Sequence, residues 1–343
     1  MPHPTGVDLD GALRWLARRA DVLGPLTLTP IHGGRSNLTF TLADAAGTRW
    51  VLRRPPLHGV LESAHDMGRE ARIMAALGAT DVPVPTVVGF EADPGVVGAP
   101  FYIMDFVDGV VLRDRGAAES IPAEQRRAVA HALAKGLAQL HQVDPDAIGL
   151  GDLGRRDDYI ARQLRRWHGQ YAKGKARELT VIDEVHDRLV ANIPEQLESG
   201  IVHGDYRLDN VIVGDHGDIR AVLDWELCTL GDPMADVGLL DVYWTRPDDP
   251  VMPLPDAPTL AAGFPERAEL LATYAEASGR DLGDLDYYVA FGRWKLAVIL
   301  EGVYSRYLAG AYGQDAAAFF EPIGGVVAEL AELAAEAAGK AGR

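Results

Sequence analysis

The stretch His203-Gly204-Asp205-Tyr206-Arg207-Leu208-Asp209-Asn210, followed by Ala221-Val222-Leu223-Asp224-Trp225-Glu226, decides how this 343-residue chain folds. Between the two motifs lies a short β-branched run, then turn-forming residues at 214–218, then an apolar run at 219–223. A hairpin over this segment returns the chain to its starting point. The pattern therefore predicts that Asn210 and Asp224 lie side by side, with Asp205 in the loop that leads in.

Two carboxylates and an amide at one hairpin suit a magnesium ion bound to a nucleoside triphosphate. Magnesium prefers oxygen ligands, and one or two carboxylates plus substrate phosphates usually hold it. The spacing favours Asp224 and Asn210 as metal ligands. Asp205 would accept a hydrogen bond from an attacking hydroxyl and take its proton late. His203 is expected to brace the loop by hydrogen bonds. The alternative, a polar turn without chemistry, does not explain why the spacing, the hairpin and the second acidic motif coincide.

These motifs resemble the catalytic loop and metal-binding segment of the aminoglycoside phosphotransferase-like kinases. Other segments resemble the branch of that family whose kinase-like domain is fused to acyl-CoA dehydrogenases in animals: Trp50-Val51-Leu52-Arg53, Pro83-Val84-Pro85, Pro100-Phe101-Tyr102-Ile103-Met104 and Gly231-Asp232-Pro233. The resemblance covers nearly the whole chain. It implies an α+β, two-lobed protein-kinase-like fold with a small antiparallel β-sheet N-lobe and a larger, mainly helical C-lobe. No flavin-enzyme signature is present.

Composition narrows the class of protein. A hydrophobic content of 48% and a charged content of 24% are those of an ordinary globular protein with a large core. The single cysteine, Cys228, excludes an internal disulfide and fits a reducing compartment. A formal net charge of −17 argues against nucleic acid as a partner. The start of the sequence lacks a signal-peptide pattern and no segment has the apolar length of a membrane helix. We therefore expect a cytoplasmic protein without a membrane partner; no pattern indicates an oligomeric state.

Apolar periodicity divides the chain into an N-terminal nucleotide-binding lobe, residues 1–107, and a C-terminal catalytic and substrate lobe, residues 108–343. In the first lobe the pattern predicts a helix at 9–20, strands at 26–31, 38–43 and 49–53, a helix at 67–77, and strands at 87–91 and 101–104. In the second lobe it predicts helices at 123–141, 157–171, 181–197, 264–277, 285–308 and 316–338, interrupted only by the catalytic loop and the hairpin.

The nucleotide side is predicted partly from residues and partly from the resemblance. Gly33-Gly34-Arg35-Ser36-Asn37 lies between two strands, where glycines let backbone N–H groups approach phosphates, although such turns also join many hairpins. The resemblance implies that Val51 packs on adenine and that Arg53 stands where a lysine is usual. Glu70 would pair with Arg53; a surface glutamate is the alternative. The predicted nucleotide contacts are Gly34, Ser36, Asn37, Val51, Arg53, Glu70, Asp105 and Val107, the last two through their backbone, and the predicted cofactors are ATP and Mg²⁺.

The substrate side carries fewer signals. Asp236 is expected to brace the catalytic loop and Asp232 to cap the following helix. Aromatic and basic residues mark residues 285–308, which could form a wall for an acyl- or phosphate-bearing substrate, but core packing is the favoured interpretation.

The resemblance implies a phosphotransferase that uses ATP and Mg²⁺ and accepts an alcohol group of a hydroxylated small molecule. A metabolite such as a hydroxyacyl-CoA is favoured over an aminoglycoside. The alternative is a nucleotide-binding pseudokinase with a regulatory or scaffold role, which the arginine at position 53 suggests.

Overall fold

The computed structural model describes residues 6–31, 37–57, 66–253, 256–311 and 320–341. A five-stranded sheet forms the first part of the chain, with neighbouring strands antiparallel and the order β1-β2-β3-β5-β4. Its strands are β1 (Thr27–Pro30), β2 (Leu38–Ala43), β3 (Arg49–Arg54), β4 (Val87–Glu91) and β5 (Phe101–Asp105).

Strand alternation gives this sheet two apolar faces. On one face, Leu52, Phe101 and Ile103 pack with helix α1 (Leu9–Leu16). The residues that alternate with them, including Val51, Tyr102 and Met104, pack on the opposite face with helix α2 (Met67–Leu77). The side chain of Asp66 caps α2 by accepting a hydrogen bond from the backbone N–H of Arg69. Because both faces are covered, β3 and α2 are held in place beside the rest of the chain.

The remainder of the chain is mainly helical. Its helices are α3 (Arg115–Glu119), α4 (Ala123–Gln142), α5 (Tyr159–Gly174), α6 (Thr180–Ala191), α7 (Met234–Tyr243), α8 (Arg267–Ser278), α9 (Leu285–Leu308) and α10 (Ile323–Ala341). One core cluster joins residues of α5, α6, α9 and α10. A second joins α2 to α4 and to the hairpin, so a single apolar core connects the sheet with the helical part.

Two short ladders interrupt the helices. Strand β7 (Val211–Val213) pairs with β8 (Ile219–Val222), and the N–H of Leu223 donates to the carbonyl of Asn210 over 2.8 Å. The predicted hairpin is thereby confirmed. A second ladder joins β6 (Gly200–Val202) to β9 (Thr229–Gly231) and was not predicted, because three-residue strands carry almost no periodicity.

The α+β class and most predicted elements agree with the structure, and the differences have local causes. The helix predicted at 181–197 ends at Ala191, because Asn192 leaves the helical region and Pro194 follows. Helix α7 was missed because nearly all its residues are buried, which removes the polar face that reveals a helix. The last helix begins at Ile323; the predicted start at 316 lies outside the described residues.

Within the described part of the chain, no helix is both long enough and apolar enough to cross a lipid bilayer.

Candidate active site

The loop at residues 203–210, predicted from the sequence to be the catalytic loop, is tied to the end of the hairpin through His203. This side chain is fully buried, and its Nε2 lies 2.9 Å from the carbonyl oxygen of Leu223. A carbonyl can only accept, so Nε2 carries the proton and Nδ1 is left to accept the N–H of Asp205 over 3.2 Å. His203 therefore braces the loop as expected, because it ties the N–H of Asp205 to the carbonyl of Leu223, the residue that precedes Asp224.

Asp236 at the start of α7 provides a second brace. Its carboxylate accepts the backbone N–H groups of His203 over 2.6 Å and of Gly204 over 2.8 Å, and lies 3.3 Å from His141 Nε2. Burial by itself raises the pKa of Asp236, but the hydrogen bonds and the nearby imidazoles more than offset it, so the pKa lies below its ordinary value. Gly204 has a φ of +87°, and a Cβ there would lie 2.9 Å from the Cβ of Leu227. The loop thus requires glycine at this position.

Three side chains contact the carboxylate of Asp205, and a fourth binds the backbone beside it. Asn210 Nδ2 donates to the Asp205 carbonyl over 2.8 Å and to Oδ2 over 3.0 Å, and Arg207 Nε lies 3.4 Å from Oδ2. The hydroxyl of Tyr243 on α7 also hydrogen-bonds to Asp205; burial and this carboxylate raise the pKa of Tyr243 well above its ordinary value, so the hydroxyl is the donor. Lys295 Nζ donates to the carbonyl of Gly204 over 3.0 Å, one residue away.

Sequence reasoning missed Arg207, Tyr243 and Lys295 as members of this site. Arg207 could have been predicted from the sequence, since it stands two residues after Asp205. Tyr243 and Lys295 come from α7 and α9, and nothing in their local sequence relates them to Asp205.

Asp224 lies at the end of the hairpin, two residues after the last residue of β8. It adopts the left-handed conformation (φ 63°, ψ 65°) ahead of a short 3₁₀ turn at Trp225–Leu227. Arg53 reaches it from strand β3, with Nη2 2.6 Å from Asp224 Oδ1 and Nε 3.5 Å from Glu70 Oε2. Burial lowers the pKa of Arg53, but Tyr102, Glu70 and Asp224 together raise it above its ordinary value, so the guanidinium stays charged.

Glu70 is buried and joins the sheet to this cluster. Its carboxylate accepts hydrogen bonds from the Tyr102 hydroxyl over 3.0 Å and from Asn37 Nδ2 over 3.2 Å. Burial raises the pKa of Glu70, and the charge of Arg53 opposes that rise. The alternative of a surface glutamate is therefore wrong, and Asn37 is engaged with Glu70 rather than exposed.

The other predicted nucleotide contacts are placed as follows. Val51 is buried on the α2 side of the sheet, opposite Met104. Asp105 is exposed at the end of β5, where its N–H donates to the Thr86 carbonyl over 2.9 Å, and Val107 is half-buried two residues later. Gly34 and Ser36 lie outside the described residues. The contacts of these residues with a nucleotide stay predictions.

The residues present fit a magnesium ion that is bound together with phosphates. Among the described residues no group of three or more His, Cys, Asp or Glu side chains could hold a metal by itself. Both hydrogen bonds from Asn210 Nδ2 go to Asp205, which leaves the amide oxygen as the group that can coordinate. One carboxylate and one amide are an incomplete set that a triphosphate would complete.

A cavity of about 530 Å³ opens beside the catalytic loop and is lined by Gly204 and Lys295. The aromatic residues predicted at 285–308 do not form its wall: Tyr287, Tyr288, Phe291 and Trp294 are buried in the helical core. Core packing is thus confirmed for them, while Lys295 from the same helix enters the site.

Comparison with known proteins identifies the family. A family model described as the phosphotransferase enzyme family, APH, matches residues 27–291. Acyl-CoA dehydrogenase family member 10 of Mus musculus is 35% identical over 323 residues, which is 93% of this chain and 30% of that protein. Acyl-CoA dehydrogenase family member 11 of Homo sapiens is 33% identical over 289 residues, or 83% of this chain and 37% of that protein. The chain therefore spans about a third of the length of these relatives.

Solved structures agree with the family model. A Ralstonia eutropha protein provisionally assigned as an aminoglycoside phosphotransferase superposes with a TM-score of 0.83 at 34% identity, covering 97% of this chain and 99% of that one. Choline kinase from Cryptosporidium parvum superposes with a TM-score of 0.62 at 13% identity, covering 92% and 90%, which shows the fold alone. The predicted family and the two-lobed protein-kinase-like fold are confirmed.

Proposed function

This chain belongs to the phosphotransferase enzyme family, and on that premise we propose that it is an ATP- and Mg²⁺-dependent kinase of an alcohol group on a small molecule. The observation that carries the proposal is the hydrogen-bonded pair of Asp205 and Asn210, with Asp224 brought to the same place by the hairpin. In the proposed division of the chain, residues 1–107 bind the nucleotide and residues 108–343 supply the catalytic loop and the acceptor site. A cytoplasmic location is part of the same proposal.

Asp205 aligns the acceptor in this mechanism. Its carboxylate accepts a hydrogen bond from the acceptor hydroxyl, and it takes the proton as the hydroxyl oxygen forms its bond to the γ-phosphorus and the bond from that phosphorus to the leaving ADP oxygen breaks. Tyr243 and Asn210 donate to Asp205, so they fix the direction of its carboxylate. Alignment rather than strong activation is what a loose phosphoryl-transfer transition state requires.

Asp224 and Asn210 would hold Mg²⁺, which when bound neutralises charge on the β- and γ-phosphate oxygens. Arg53 would face those phosphates from the sheet, oriented by Glu70. An arginine can contact phosphate through two N–H groups where a lysine offers a point charge. Val51 and the backbones of Asp105 and Val107 are the proposed adenine contacts, with Gly34, Ser36 and Asn37 on the phosphate side.

The acceptor we propose is a hydroxylated metabolite, with a hydroxyacyl-CoA favoured over an aminoglycoside. The relatives that this chain resembles are described as acyl-CoA dehydrogenase family members, and the chain matches a portion of them that is about a third of their length. A kinase fused to an acyl-CoA dehydrogenase would act on a substrate related to acyl-CoA chemistry.

The test pairs turnover with nucleotide binding. ADP release is measured with ATP, Mg²⁺ and a panel of hydroxylated acceptors, and the affinity for Mg²⁺·AMP-PNP is measured by calorimetry. We expect Asp205→Asn to lose about 10²- to 10⁴-fold in turnover with little change in nucleotide affinity. Asp224→Asn should weaken nucleotide binding itself. Full turnover by Asp205→Asn would refute the role assigned to that residue.

A pseudokinase is the second candidate, and one observation favours it. Arg53 replaces the usual lysine, and its Nη2 lies 2.6 Å from Asp224, the proposed metal ligand. This contact has to open or rearrange before both groups can engage phosphates and metal. Binding of Mg²⁺·AMP-PNP by the wild-type protein without ADP release on any acceptor would support this second function.

A further inference from the structure

One face of helix α5 lines the cavity beside the catalytic loop. The residues that face it recur at helical spacing, and Arg155 precedes them in the connecting segment. They are Tyr159, Arg162, Gln163, Arg166 and Trp167. Arg69 from α2 and Lys295 from α9 complete the lining with two further cations. Three helices thus contribute four positive side chains to the lining of this cavity, and the segment before α5 contributes a fifth, Arg155.

Within the part of the chain that the structure describes, these five cations have no acidic partner at ion-pair distance. Among the described residues, none of Arg69, Arg155, Arg162, Arg166 and Lys295 has a carboxylate within 4.0 Å, although many other arginines of the chain form ion pairs. Arg162 Nη1 is buried and has no hydrogen-bond partner within that part of the chain. In a chain of net charge −17, acidic side chains are plentiful, yet none of the described ones pairs with this group of cations.

The carboxylates that also line the cavity are engaged elsewhere. Asp66 caps helix α2 through the N–H of Arg69. Glu70 accepts hydrogen bonds from Asn37 and Tyr102 and lies beside Arg53. Glu226 lies 4.0 Å from Arg53. The acidic part of the lining therefore belongs to the nucleotide side, and the α5 side is cationic.

Lys295 connects the cationic side to the chemistry. It is 7% exposed, lies 5.7 Å from the ring of Trp167, and donates to the carbonyl of Gly204 over 3.0 Å. Burial lowers the pKa of its ammonium, and Asp205 and Asp236 oppose that effect. Lys295 thus links the cavity to the backbone of the loop at Gly204, one residue before Asp205.

We propose that this cavity is an anion-binding acceptor subsite, and that the acceptor carries one or more phosphate groups remote from its reacting hydroxyl, held by Arg155, Arg162 and Arg166. Guanidinium groups match phosphate through paired N–H donors, and an anion between like charges removes their mutual repulsion. The cavity volume lies within the range of small-molecule sites. This inference rests on the proposed kinase function; it excludes a polycationic acceptor such as an aminoglycoside.

The experiment separates the anion site from the nucleotide site. Binding is measured by calorimetry on the full chain saturated with Mg²⁺·AMP-PNP, so that probes cannot enter the nucleotide site. The probes are coenzyme A, pantetheine (the same arm without phosphates), glucose 6-phosphate, inorganic pyrophosphate and kanamycin. We expect binding of at least one phosphate-bearing probe, no binding of kanamycin, and much weaker binding of pantetheine. The identity of the phosphate-bearing probe that binds shows whether the subsite takes a coenzyme A group, a sugar phosphate or a free diphosphate.

Matched variants on one helix test the residues. Arg162→Gln and Arg166→Gln should each weaken the phosphate-bearing probe about tenfold or more, because each loses a charge-assisted hydrogen bond. Arg165→Gln is the control, since Arg165 is exposed on the same helix and does not line the cavity. The affinity for Mg²⁺·AMP-PNP should be unchanged in all three variants.

Three results would overturn the inference. They are equal losses of affinity for Arg165→Gln and Arg166→Gln, tight binding of kanamycin, and no binding of any phosphate-bearing probe at a concentration of about 10⁻² M. A failure of the wild-type protein to bind Mg²⁺·AMP-PNP would instead refute the proposed function.

Discussion

Replacing Asp236 by alanine removes the brace under the catalytic loop, and the size of the effect follows from its hydrogen bonds. The carboxylate is 1% exposed and accepts the N–H groups of His203 over 2.6 Å and Gly204 over 2.8 Å. Without it, two buried backbone donors have no partner, at about 1–3 kcal/mol each. We expect a loss of about 2–6 kcal/mol, a large share of the roughly 5–15 kcal/mol that stabilises a typical domain. Turnover should fall too, because Asp205 follows Gly204 directly.

The free energy of unfolding is measured from urea denaturation, followed by tryptophan fluorescence and far-UV circular dichroism. Asp187→Ala is the control, because the Asp187 side chain is 83% exposed and its ion pair is with the neighbouring His186. The stability of this variant should match that of the wild type. Asp236→Asn should fall between the two, since one amide oxygen can still accept. An Asp236→Ala protein that unfolds at the wild-type urea midpoint would refute the reasoning, because no buried N–H would then have depended on this carboxylate.

Three further predictions concern His141, Cys228 and Arg53. Burial lowers the pKa of His141 in the folded protein, so the unfolded chain takes up the proton first as the pH falls. The stability that the uncharged His141 side chain contributes is therefore complete above about pH 6.5 and is lost below it. His141→Gln should flatten the decline in melting temperature between about pH 7.5 and 5.5. A decline as steep in that variant as in the wild type would contradict the assignment. Cys228 is fully buried and burial raises the pKa of its thiol far above the ordinary value, so Ellman's reagent should label only the denatured protein; prompt labelling of the native protein would show that the thiol is accessible. Arg53→Met should weaken Mg²⁺·AMP-PNP binding in calorimetry about tenfold or more, with Arg53→Lys in between, and unchanged affinity in both would remove Arg53 from the phosphate site.

Local signals predicted the elements that present the site. The hairpin from Val211 to Val222 follows from two short apolar runs around turn residues, and strand β3 and helix α2 follow from alternation and helical periodicity. Local signals failed where burial is complete, as in α7, or where strands are only three residues long, as in β6 and β9.

The amino-acid sequence by itself determined which residue types stand at the catalytic loop and at the end of the hairpin, because a turn and its two strands are specified by neighbours along the chain. The tertiary structure alone decided what surrounds them. Tyr243 and Lys295 reach the loop, and the arginines of α5 reach the cavity beside it, only because separate helices pack against one core. Such packing depends on side chains that are far apart in sequence. For the same reason the cavity beside the loop, which is lined by more cations than carboxylates within a chain of net charge −17, reflects the fold rather than the composition.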